Sequence, residues 1–209
     1  MTAPRRMGSE SSETRSLLLD VTEKVMLDDG YAAVSSRRIA KEAGVTAALV
    51  HYYFGTLDDL FLEVFRRRAE QQLGRHTRFL ESPQPLRAFW NFSSEPIGTA
   101  FLMEFMALAN HRKTIRSEIA DYAERFRQLQ LEALAPVLEQ YGLDTTDVPP
   151  VAVLVLIAGL GRAVVMEESL GMRTGLKETV DVIDRYIDRF EGPAERKPKK
   201  RTAARRSKR

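Results

Sequence analysis

SSRRIAKEAGVTAALVHYYF, residues Ser35 to Phe54, is the stretch whose reading decides the fold of this 209-residue chain. Two short helical runs, Ser36–Ala43 and Ala47–Tyr53, flank Gly44, and a hydroxyl residue stands before each, Ser35 and Thr46, placed to cap its N-terminus. Gly44 suits the tight turn because it takes positive φ without a Cβ clash. Ala40 is small enough to let the second helix cross closely over the first, and Ile39, Val45, Val50 and Phe54 form the apolar seam between them. At about 100° per residue, Ala47, Ala48 and His51 then share the outward face of the second helix. This is a helix-turn-helix, and that face is the one such a motif presents to the major groove of DNA.

Around this motif the apolar positions recur at intervals of three and four, so the chain is expected to be all-α. A first helix runs from about Ser12 to Asp28, with Leu18, Val21 and Val25 on one face and Gly30 as its stop. Thr56 and Asp59 form a capping-box-like pair. Leu57, Leu60, Phe61, Val64 and Phe65 follow as an amphipathic helix reaching about Leu80. Pro83, Pro85 and Pro96 break the chain on either side of a short aromatic segment, Phe89-Trp90-Asn91-Phe92. Helices are then expected at Ile97–Asn110, at Thr114–Tyr141 with a kink at Pro136, from Pro150 to about Leu170, and at Leu176–Phe190. The resulting division is a disordered N-terminus (1–11), a helix-turn-helix domain (12–56), a larger helical domain (57–191) and a basic tail (192–209).

Composition excludes several classes. There is no cysteine, hence no disulfide framework and no thiolate metal site. His51, His76 and His111 show no metal-ligand spacing, no serine sits in a nucleophile elbow, and Gly159-Leu160-Gly161 follows no strand, so neither an enzyme nor a cofactor is expected. These glycines, with Ala158 and Ala163, are expected to allow close helix packing at a dimer interface. The N-terminal MTAPRRMGSESSE lacks the apolar run of a signal peptide. The longest apolar run, Val151–Gly161, is short of the roughly 20 residues that cross a bilayer and is read as a buried core helix. No membrane association is expected, and a cytoplasmic location is.

Charge is unevenly placed. Residues 193–209 hold nine Lys or Arg against Glu195, a net of +8 within a total of +3, which leaves the other 192 residues at −5. With no apolar side chain larger than alanine, this tail is expected to stay disordered and to add sequence-independent phosphate contacts.

Gly30-Tyr31, Arg37-x-Ile39-Ala40, Ala43-Gly44-Val45-Thr46, and Tyr53-Phe54 ahead of an acidic pair and Leu60 together resemble the tetracycline-repressor (TetR) family over Arg15 to Phe65. The resemblance implies a three-helix DNA-binding domain, a helical ligand-binding domain, and a homodimer joined through the last two long helices. It implies a transcriptional regulator, a repressor that binds a palindromic double-stranded operator and is released by an apolar small-molecule effector. Ser36 and Arg37 then grip the backbone and reach a base, Thr46, Ala47, Ala48 and His51 meet base edges, and Tyr52 and Tyr53 contact phosphate. The resemblance also implies an effector pocket in the second domain, for which Trp90, Phe101, Phe105, Met106, Tyr122, Phe126 and Met166 are the lining candidates, with His111 and Arg112 as anion anchors. Three positions depart from the family pattern: His51 replaces a usual tyrosine, Leu57 a frequent lysine, and Arg38 a frequent acidic residue. The competing reading is a ligand-independent, nucleoid-type DNA-binding protein dominated by its basic tail.

Overall fold

A computed structural model describes residues 7–80 and 82–193. The expected disorder of the tail and of residues 1–6 therefore falls outside the described residues, apart from 192 and 193. The helices are α1 (Met7–Asp29), α2 (Ser36–Ala43), α3 (Ala47–Phe54), α4 (Leu57–Leu80), α5 (Pro85–Ser93), α6 (Pro96–Ala109), α7 (Lys113–Gln140), α8 (Pro150–Ser169) and α9 (Leu176–Glu191), with a 3-10 turn at Tyr31–Ala33. The fold is all-α, with no strand among the described residues.

Two boundaries differ from the sequence expectation. Helix α1 begins at Met7 rather than Ser12, so residues 7–11 are helical and not part of a disordered terminus. The aromatic segment between the prolines is helix α5, because Pro85 stands at its first turn, where a missing N–H costs nothing. Helix α7 continues through Pro136.

Capping explains the sharp corners at the start of the chain. Ser35 Oγ accepts from Arg38 N at 3.3 Å, and Gly44 closes α2 with φ 70°. Thr46 makes no side-chain cap on α3, against expectation. At α4 the Thr56–Asp59 box is complete: Thr56 N donates to Asp59 Oδ2 at 3.1 Å and Asp59 N to Thr56 Oγ1 at 3.1 Å. Thr56→Ala is expected to cost about 1 kcal/mol, a fall of roughly 2–4 °C in the midpoint of thermal unfolding.

The buried side chains form two clusters. The first joins Leu18, Met26, Ile39, Val50 and Phe54 of the N-terminal helices to Leu60, Val64 and Phe65 of α4, Phe101, Phe105 and Leu108 of α6, and Ile115 and Ile119 of α7. Leu57 packs against this cluster, so the residue that stands in for a family lysine serves the core. Ion pairs lock α1 to α4: Arg67 to Asp20 at 2.6 Å, Arg68 to Glu23 at 2.8 Å and Arg15 to Glu63 at 2.7 Å. The second cluster gathers Leu86, Phe89 and Trp90 of α5 with Leu134 and Leu138 of α7, Leu154 of α8 and Ile187 of α9.

Helix α8 is not the buried core helix that its composition suggested. It has 20 residues with a mean hydropathy of 1.9, long and apolar enough to cross a membrane, yet only Leu154 and Gly161 are buried in the single chain. Gly161 is committed inside the chain: an added Cβ would lie 2.7 Å from the backbone carbonyl of Ser93, so its small size lets α8 cross α5. Gly159 has nothing within 4 Å of such a Cβ and remains on the open side of the helix.

Candidate nucleic-acid interface and internal cavity

On α2 and α3 the residues that fill the core and the residues that face outward alternate as an amphipathic pair requires. Ile39, Ala40, Val50 and Phe54 are buried, and Arg37, Thr46, Ala48, His51 and Tyr52 are exposed. Ser36 and Tyr53 are half-buried. Ala47 is half-buried too and packs against the first cluster, so it is set further back from the outward face than its helical position suggested. Tyr52, 78% exposed, meets the edge of Tyr53 at 5.3 Å between ring centroids and stands away from the protein body.

Two cations flank the same surface with different constraints. Arg38 is tied to Asp29 at 2.5 Å, which answers the loss of the acidic residue usual at its position. Arg37 is exposed and has no ion-pair partner among the described residues. His51 is oriented by its own helix end: Nδ1 lies 3.1 Å from the carbonyl oxygen of Gly55. A carbonyl only accepts, so Nδ1 donates in this contact, which leaves Nε2 as the ring nitrogen open to a further partner. Thr46 keeps its hydroxyl uncommitted to α3.

The second region is a partly open cavity of about 230 Å³ lined by α4 to α8. Of the lining candidates, Phe101, Tyr122 and Phe126 are on its wall. Phe105 is fully buried in the first cluster between Phe65 and Phe101, and Trp90 belongs to the second cluster. Met106 and Met166 face outward. His111 and Arg112 are also away from the wall, and Arg112 pairs with Asp58 at 2.6 Å. Helical spacing gave these residues a shared stripe, but which stripe faces inward depends on the crossings of neighbouring helices.

The remainder of the wall escaped the sequence reading. Helix α4 contributes Phe65, Arg68, Ala69 and Gln72, α7 adds Arg127 and Gln130, and α8 adds Leu154, Ala158 and Arg162. One signal was available, since Arg162 is the lone charge between Val151 and Met166. Tyr122 donates its hydroxyl to the Ala69 carbonyl at 2.9 Å, and burial pushes its pKa up to about 12. Arg68 lies 5.5 Å from the Phe101 ring centroid while paired with Glu23.

Helix α6 touches both regions. Gly98, Thr99, Phe101 and Leu102 line the cavity, and one turn on, Glu104 Oε2 accepts from the backbone N–H of Tyr31 at 2.6 Å, at the entrance to the helix-turn-helix.

Comparison with known proteins agrees with this architecture. Residues 18–64 match the family model described as "Bacterial regulatory proteins, tetR family". The chain is 36% identical over 61 residues to the HTH-type transcriptional regulator AcrR of Shigella flexneri, covering 29% of this chain and 28% of that protein. It is 40% identical over 52 residues to BetI of Rhizobium meliloti, covering 25% and 26%. The chain thus aligns with only about a quarter of the length of these relatives. A solved regulator from Saccharomonospora viridis in complex with choline superimposes with a TM-score of 0.72 at 19% identity, over 85% of this chain and 96% of that one. A TetR regulator from Haloarcula marismortui gives 0.68 at 19%, over 86% and 98%. These structural likenesses extend the shared fold across the larger helical domain.

Proposed function

We propose that this chain, whose residues 18–64 match the tetR family model, is a TetR-family transcriptional regulator and a homodimeric, ligand-responsive repressor of the cytoplasm. Its two helix-turn-helix motifs enter successive major grooves of a palindromic operator, and a small molecule in the cavity releases it. The observation that carries the reading is the surface formed by Arg37, Thr46, Ala48, His51 and Tyr52, a cationic and polar face of the right size for the groove. Ser36, Ala47 and Tyr53 stand at its edges.

Each residue type suits a distinct contact. Arg37 can bond bidentately to guanine or clamp a phosphate, and Tyr52 extends far enough to reach the backbone. With Nδ1 committed to Gly55, His51 can accept through Nε2 from the exocyclic amine of adenine or cytosine. Ala48 keeps the helix face low and offers a methyl group to thymine.

The dimer reading rests on α8 and α9. Val155, Leu156 and Leu160 of the first and Leu170 at its C-terminal cap, with Val182 and Tyr186 of the second, are exposed apolar residues whose burial would remove apolar area from water. A second copy of the chain supplies the matching surface in an isologous interface. The membrane-length composition of α8 has the same explanation: its apolar face is for protein.

Ligand release then follows from linkage. A molecule that favours one arrangement of α6 over another biases the Glu104–Tyr31 contact, and coupling of about 1–3 kcal/mol is typical of such two-site systems. A choline-like cation, the ligand named for one structural neighbour, does not suit this wall, which has Arg127 and Arg162 on it.

Selection of bound sequences from random double-stranded DNA by the full chain tests the reading. The expected product is an inverted repeat with half-site centres about 34 Å apart or somewhat more. Enrichment of an asymmetric single site, or of none, would refute it.

A further inference from the structure

One end of the cavity is not apolar. Leu154, Ala158 and Arg162 recur every four residues along α8, and Arg127 and Gln130 meet them from α7. Arg162 is half-buried and Arg127 is exposed at the rim, and both its burial and the nearby Arg127 charge pull the Arg162 pKa down. Among the described residues neither arginine has an ion-pair or hydrogen-bond partner, whereas Arg68 is held by Glu23 at 2.8 Å. The carboxylate on the wall, Glu95, is already spent: its oxygens accept from Ile97 N at 3.0 Å and Gly98 N at 2.6 Å as the cap of α6. Gln130, 7% exposed, adds an amide that makes no side-chain hydrogen bond among the described residues.

A guanidinium does not shed its proton near neutral pH, so both positive charges stay in place to meet an anion. The rest of the wall sets Phe65, Phe92, Phe101, Tyr122 and Phe126 beside Arg68, Gln72, Glu95 and Thr99. Phe126 stacks on Tyr122 at 5.7 Å, and Phe92 lies 6.0 Å from Phe126. The Tyr122 hydroxyl, donated to Ala69, is not available to a ligand as a donor. The cavity therefore combines two unpaired guanidinium groups with a set of aromatic rings.

We propose that this cavity takes a small amphipathic carboxylate, its carboxylate seated between Arg127 and Arg162 and its apolar body against Phe92, Phe101, Tyr122 and Phe126. The assignment rests on reading the cavity as the effector site. At about 230 Å³ the room lies below the roughly 300–1,000 Å³ of sites for drug-sized ligands, so the acid has one ring or a short chain. Planar guanidinium forks match a carboxylate geometrically, and desolvation by the aromatic walls strengthens the pairing.

Calorimetry on the full chain tests this with 3-phenylpropionate and octanoate, against 3-phenylpropanol and a 3-phenylpropyl trimethylammonium ion as the matched neutral and cationic probes. Each probe is also titrated into the operator complex. The acids are expected to bind at least ~10-fold tighter than the alcohol, and the ammonium ion not at all. Arg162→Gln and Arg127→Gln should each remove most of the acid-to-alcohol preference, while weak alcohol binding survives as proof of an intact room. Arg162→Gln should also raise the unfolding midpoint of the ligand-free protein, by about 2–4 °C. Equal binding of acid and alcohol, preference for the ammonium ion, or no saturable binding of either acid overturns the proposal. Operator release by the alcohol or the ammonium ion would leave the effector reading standing and remove the anion. Acids that bind through the arginines without changing operator affinity would leave the anion site standing and remove the effector reading.

Discussion

Alanine at both Arg37 and His51 is expected to lower affinity for the selected operator by at least ~10³-fold, while binding to unrelated DNA changes little. The magnitude follows from the number of contacts. Each side chain at a base edge contributes about 1–3 kcal/mol of discrimination. The proposed dimer presents two copies of each, so even the lower bound is roughly 4 kcal/mol, or about three decades of affinity. Neither residue supports the fold: both are exposed, and the one contact at stake is the His51 Nδ1 bond to the Gly55 carbonyl. Thermal unfolding should therefore stay within about 0.5 kcal/mol of the parent. Fluorescence anisotropy with labelled operator and a scrambled duplex reads the outcome. A double variant that still distinguishes the two duplexes by the parental ratio would remove these residues from base reading. The single variants add resolution, because loss of His51 should relax preference at an adenine or cytosine and loss of Arg37 at a guanine.

Phe105→Ala has the largest expected effect on stability, about 3–5 kcal/mol, a fall of roughly 6–20 °C in the unfolding midpoint. The ring is fully buried, with the Phe101 centroid 4.6 Å away and that of Phe65 5.3 Å away. The space left by its removal is bordered by α4 and α6 at once, so neither can close over it without moving the other. Its place off the cavity wall separates this effect from ligand recognition. Calorimetric scans should show one lowered transition in which the helix-turn-helix and α6 unfold together. A separate, unshifted transition for the N-terminal helices would contradict the shared packing.

The helix-turn-helix was legible in the sequence because its determinants are local. Gly44 needs positive φ, Ser35 caps a helix three residues away, and Ala40 is small where two helices cross. The Thr56–Asp59 box was legible for the same reason. The cavity was not, because its wall is assembled from five helices whose relative rotation no local pattern encodes. Trp90 and Phe92 lie two residues apart on α5 yet serve different rooms: Trp90 enters the second cluster and Phe92 the cavity wall. Helix α5 itself was hidden by its prolines, which end helices in the interior but begin them at the first turn. Gly161 was read as small in order to meet another copy, and it is small in order to meet Ser93. Arg162, which directly follows the apolar run Val151–Gly161, lines the cavity.

The first buried cluster bears on how this protein can be re-engineered. Its N-terminal members, Leu18 to Phe54, fall within the family-model stretch of residues 18–64, but Phe101, Phe105, Leu108, Ile115 and Ile119 lie beyond it. A chimera cut at residue 56 would join a foreign head to α4, α6 and the front half of α7 without the side chains shaped to fit it. Grafting the whole module would require exchanging pieces that are far apart along the chain. Retargeting to a new operator is better done by point substitution on the outer faces of α2 and α3, where no residue of that shared packing needs to change.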